Sequence, residues 1–156
     1  MNNFIQPLLK KSLAILAILL LMISCKESRA SGEIFAPGNK AINGYDAVAF
    51  FKESKPVMGN KSFAYDWKGA TWNFASQENM EAFKADPEKY APQYGGYCAY
   101  GTAEGHKAPT KPETFTIVDG KLYFNYNLDV KKEWDKSQAS LIQKADTAWA
   151  RVKLMD

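Results

Sequence analysis

The longest apolar stretch of the chain comes first. Leu13 to Ile23 run without a break, behind Lys10 and Lys11 and ahead of Ser24-Cys25, and no acidic residue precedes Glu27. A basic start, a short apolar run and small residues before a cut form a secretory signal. The run falls well short of the roughly 20 residues that a spanning helix needs. From Lys26 to Lys40 the chain is polar with Gly and Pro, and only Ile34-Phe35 interrupts it. This stretch reads as a tether, with folded sequence expected from Ala41.

Beyond the tether the apolar period changes several times. Tyr45 to Phe51 is a short apolar run flanked by Gly44 and Gly59-Asn60, and it predicts a strand. Phe63, Tyr65 and Trp67 alternate with smaller or polar residues, Lys68-Gly69 supplies a turn, and Trp72 and Phe74 resume the alternation. That is a hairpin with one buried face. Ser76 then has the chemistry of a helix N-cap, Glu78 suits the positive end of the helix, and Met80 and Phe83 give a short apolar stripe. Pro87 disfavours helical geometry at Asp86, which sets the break. Residues 91–112 show no periodicity and read as a long Gly- and Pro-rich loop, of a length that tends to serve function. Asp119-Gly120 marks a second hairpin between Phe115–Val118 and Lys121–Phe124. Leu141, Ala145, Ala148, Trp149 and Val152 make a helical stripe at the C-terminus, with Trp134 on a short helix before it. The expected fold is α+β: a small single domain with two antiparallel hairpins, a short helix after the first hairpin and a C-terminal amphipathic helix. No repeat or low-complexity segment is present.

Charge and cysteine content narrow the partners. The net charge of +3 includes Lys10 and Lys11, so removing residues 1–24 leaves about +1. No basic face for nucleic acid is implied. Four Trp, eight Tyr and nine Phe can build a core without disulfide staples. Met22-Ile23-Ser24-Cys25 resembles a bacterial lipobox, in which the cysteine is acylated and becomes the first residue. A lipid bilayer is then the expected partner, and the address is the cell envelope, periplasmic or on the outer membrane. Cleavage after Ser28-Arg29-Ala30 by the ordinary signal peptidase would instead release a soluble protein. With Cys25 acylated, Cys98 has no partner for a disulfide.

The remaining chemistry gathers on the loop. Cys98 and His106, the only histidine, stand eight residues apart. They could begin a soft-metal site for copper or zinc, which Met58, Met80 or Glu104 would have to complete. Alternatively His106 could activate a Cys98 nucleophile in a thiol-dependent redox protein. A free cysteine is also often just a small buried apolar residue. Tyr94, Tyr97 and Tyr100, with Tyr90, are candidates to line a ligand pocket or to pack in the core. Gly95-Gly96 is not part of a phosphate loop, and Asp46, Asp66 and Asp86 form no acid–base pair.

The hairpin, Phe74-Ala75-Ser76, the helix and Phe83-Lys-Ala-Asp-Pro87-Glu-Lys-Tyr90 together resemble the YHS domain, over about residues 45–90. Gly44-Tyr45-Asp46 and Tyr94-Gly-Gly-Tyr97-Cys98-Ala resemble its exported members. The resemblance implies a small α+β unit of the kind found with heavy-metal transport and resistance proteins. Metal-associated members carry Phe-Cys-Ser-x-x-Cys and Asp-Pro-Val-Cys-Gly-Met. Here Ala75 and Asn79 occupy the first two cysteine positions, and Ala49 the third. The expectation is a signal peptide at 1–24, a tether at 25–40 and a domain at 41–152. Its function is expected to be non-enzymatic binding of a metal ion or small molecule, with a structural or interaction role and a thiol-dependent redox role as the alternatives.

Overall fold

The computed structural model describes residues 32–155, so the signal segment and Cys25 lie outside the described residues. The chain enters the fold before Ala41. Ile34 is buried in the core, and the Phe35 N–H donates to the Gly95 carbonyl at 2.9 Å. Residues 33–36 are thus a strap across the domain, followed by tight turns at Pro37–Asn39 and Ala41–Gly44.

Helix α1, Ala47–Lys52, replaces the strand expected over Tyr45–Phe51. Asp46 decides the difference. Its carboxylate caps the helix by accepting from the Val48 and Ala49 N–H groups. A short run buried on every side cannot be told from a strand by periodicity, and Ala47 to Phe50 are all fully buried.

Strands β1, Asn60–Trp67, and β2, Ala70–Phe74, form the first hairpin, with Tyr65 opposite Trp72 and Trp67 opposite Ala70. Lys68 and Gly69 both adopt positive φ, 49° and 75°. That turn geometry matches the twist of the strands. Helix α2, Gln77–Ala85, starts at Ser76, whose Oγ accepts from the Asn79 N–H at 3.2 Å. It stops at Asp86, and Pro87 opens the single turn α3, Pro87–Tyr90. Phe83 on α2 lies against Trp72 and Phe74, with ring centroids 4.8 and 5.1 Å away.

The segment 91–112 is more regular than a loop. It holds a turn at Gln93–Gly96 and helix α4, Ala99–Ala103, and Cys98 pairs in parallel with Phe124. Its order comes from partners distant in sequence: the Ala99 N–H donates to the Phe124 carbonyl at 2.9 Å, and Thr110 Oγ1 donates to the Gly96 carbonyl at 2.7 Å. Strands β3, Thr116–Val118, and β4, Lys121–Tyr123, form the second hairpin around Asp119-Gly120. Helices α5, Leu128–Lys136, and α6, Gln138–Val152, complete the described chain.

Two apolar clusters result. The first joins α1, the first hairpin and α2 with Ile34, Ile42, Leu122 and Phe124. The second joins Tyr94, Ala99, Tyr123 and Trp134 with Leu141 and Ala145 of α6. Strand β4 belongs to both: Leu122 faces the first and Tyr123 the second, as the two-residue period of a strand requires. The architecture is mixed α and β with two separate two-stranded antiparallel sheets.

Candidate functional site

Positions 49, 75 and 79, where metal-associated members carry cysteine and this chain carries Ala, Ala and Asn, converge in space, and a carboxylate holds them. Asp46 is fully buried. One of its oxygens accepts from the Val48 and Ala49 N–H groups at 2.8 and 3.1 Å. The other accepts from the Ala75 N–H at 2.8 Å and from Asn79 Nδ2 at 2.7 Å. Four donors around one carboxylate replace what a soft ion would need, namely thiolate, thioether or imidazole ligands. The residues present do not fit a copper or zinc ion there. In the sequence, Asp46 falls within the Tyr45–Phe51 run that predicts a strand. Its position just before an apolar run was the available signal for an N-cap.

Cys98 and His106 flank Gly101 but face different surroundings. Cys98 is 2% exposed; its Sγ accepts from the Gly101 N–H at 3.4 Å and donates to Asn125 Oδ1 at 3.6 Å. Burial pushes the thiol pKa up, against the smaller opposing effect of nearby backbone N–H groups. A buried thiol held in its protonated form is a poor nucleophile and a poor metal ligand. His106 lies exposed at the surface. Met80 packs against the first cluster, Met58 pairs with Tyr45, and Glu104 is exposed. Among the described residues no group of three His, Cys, Asp or Glu side chains is placed to hold a metal ion.

The three loop tyrosines do not share one pocket. Tyr100 borders a surface hollow with Glu104 and Lys136, and Tyr97 borders an apolar groove with Phe35 and Pro109. Tyr94 forms the floor of a cleft of about 200 Å³ between the end of the first hairpin and α6. Its backbone is left-handed, φ 54° and ψ 35°, which is costly for a bulky side chain. That geometry lets the ring meet Tyr123 and Trp149, each at 5.9 Å, while the hydroxyl donates to Asp146 Oδ1 at 2.8 Å. Burial, then the bond to Asp146, raises the Tyr94 pKa far above the ordinary phenol value. Glycine is required next to it. Gly95 also has positive φ, and a Cβ there would collide with the Glu33 carbonyl oxygen.

Trp67 and Trp149 form walls of the cleft, and Glu33, Glu88 and Asp146 line it. Lys68 Nζ lies 4.5 Å over the Trp67 ring, 2.9 Å from Glu88 Oε1 and 3.7 Å from Glu33 Oε1. An ammonium group is thus already seated between an indole face and two solvent-exposed carboxylates, and a third carboxylate, that of Asp146, lines the same cleft. Sequence reading found Tyr94 but none of the partners, since Glu33, Lys68, Glu88 and Asp146 meet only through tertiary packing.

No curated protein and no solved structure was found similar to the chain. A family model, described as the YHS domain, matches residues 48–94, under a third of the chain. The match runs from α1 through α3 to Tyr94, a few residues later than the expected 45–90 at each end. The chain therefore carries a YHS domain at residues 48–94, in which the positions of the metal-associated members' cysteines are gathered around the carboxylate of Asp46, just before the matched residues.

Proposed function

We propose that this protein is a non-enzymatic binding module of the cell envelope, anchored by an acylated Cys25, which takes a small organic cation in the cleft over Tyr94. The observation that carries the ligand class is the seating of Lys68 over Trp67 and between Glu33 and Glu88. An ammonium on an indole face is a favourable pair, more so when partly desolvated. The cleft has three carboxylates against one lysine, so a second cation is favoured over an anion. The Leu13–Ile23 run and the lipobox-like Ser24-Cys25 support the anchor. The buried Cys98 thiol argues against the redox alternative, and the Asp46 hub argues against a soft-metal site in the YHS unit.

Tryptophan fluorescence of the full-length protein, titrated separately with a primary amine, a quaternary ammonium ion, a neutral sugar and Zn2+, tests this reading. A saturable change with the amine or ammonium ion, lost in Asp146→Asn combined with Trp149→Ala, is expected. A response to Zn2+ alone would return the metal reading to first place. Mass spectrometry of the mature protein, showing a chain that begins at an acylated Cys25, tests the anchor.

A further inference from the structure

The apolar groove bordered by Tyr97 is separate from the cleft, and the strap runs between them, with Ile34 touching both. Phe35, Ala36, Pro37, Tyr97, Ala108 and Pro109 line the groove, whose volume is about 360 Å³. At its end the two ends of the described chain meet. Lys107 Nζ donates to the Met155 carbonyl, and a Cβ on Gly32 would lie 2.8 Å from the same Nζ. Beside this junction Leu154 is 80% exposed and Met155 39%. Lys107 lies 5.4 Å over the Tyr97 ring, and Arg151 Nη1 is 3.7 Å from Met155 Sδ, so both cations rim the apolar surface.

We propose that this face, from Phe35 and Pro109 to Leu154 and Met155, rests on the lipid bilayer that holds Cys25. The length of the tether selects the occupant. Cys25 and Gly32 are seven residues apart, a reach of at most about 25 Å even when fully extended. A compact chain of this size is about 35 Å across. The tether cannot pass around the domain, so the side on which Gly32 emerges faces the membrane. That side carries the exposed leucine, methionine and prolines, with lysine and arginine placed to reach phosphate headgroups along their aliphatic stems. This inference rests on the anchor in the proposed function and is independent of the cleft.

Spin labels at Leu154→Cys and Pro109→Cys, compared with labels at the exposed positions Glu81→Cys and Lys132→Cys, test it. The mature full-length protein is reconstituted into vesicles of phosphatidylethanolamine and phosphatidylglycerol, and unsubstituted protein controls for labelling at Cys98. Collision with an aqueous nickel chelate is expected to fall several-fold at 154 and 109 on reconstitution and to stay unchanged at 81 and 132. Equal accessibility at all four positions in protein that floats with the vesicles overturns the face and leaves the anchor standing. Protein that does not float overturns the anchor, and this inference with it. Shielding that grows with the ratio of protein to lipid identifies a second copy of the chain as the occupant and also overturns the inference.

Discussion

Asp46, just ahead of the YHS unit, ties the start of α1 to the start of α2 with one side chain. Replacing it with Ala strands three backbone N–H groups and the Asn79 amide, in a site that is buried except at Ala75. Each unsatisfied buried donor costs about 1–3 kcal/mol, with partial relief by rearrangement. Asp46→Ala should therefore lose at least about 3 kcal/mol, read from the midpoint of urea unfolding. A change under about 1 kcal/mol would show that the hub is not structural. Titration gives a second test at this scale. Cys98, Tyr94, Tyr97 and Tyr123 all have pKa values raised by burial in the folded state. Unfolded thiols and phenols ionise near about 8.5 and 10. The unfolded state then releases protons that the folded state keeps, so stability is full below about pH 8 and falls as pH rises through those values. Melting temperature should decline above about pH 8.5 and more steeply past about pH 10. The steeper part should soften in Tyr94→Phe. In the native protein, iodoacetamide should leave Cys98 unmodified until denaturant is added.

At the scale of elements, the strap and the Gln93–Gly96 turn depend on each other. A Cβ at Gly95 strikes the Glu33 carbonyl, and φ there is positive. Gly95→Ala should destabilise the fold by more than about 1 kcal/mol and expose the strap to limited proteolysis before the rest of the chain. An unchanged digestion pattern would count against this pairing. The two hairpins, α2 with its Ser76 cap, the break at Asp86 and the C-terminal stripe were all legible from local chemistry. In each, a turn pair, a cap or a period is written within a few residues. What was illegible depended on distant partners. The strand expected at Tyr45–Phe51 became α1 because Asp46 caps it and because the first cluster surrounds it. The expected loop acquired α4 because Phe124 and Asn125 supply partners from the second hairpin. The strap looked like tether because two apolar residues, Ile34 and Phe35, form no period. Of the cleft, only Tyr94 could be read in advance, since its carboxylates and indoles come from separate parts of the chain.

Across the whole molecule, the YHS unit is not self-sufficient. Its apolar cluster takes Ile34, Ile42, Leu122 and Phe124 from outside residues 48–94, and its capping carboxylate, Asp46, also lies outside. A fragment of residues 48–94 should therefore give circular dichroism and amide dispersion of an unfolded chain, while the full chain gives a cooperative transition. A folded fragment would mean that β4 and the strap decorate a core they do not complete. The Asp46 hub also bears on the conditions under which the fold can exist. Folding that closes around thiolates and a bound ion depends on ion supply and on the redox state of the surroundings. Closure around a carboxylate and four N–H donors depends on neither. Chelators and reductants at ordinary working concentrations should leave the melting temperature unchanged. At this hub, closure then owes nothing to metal supply or to thiol oxidation state.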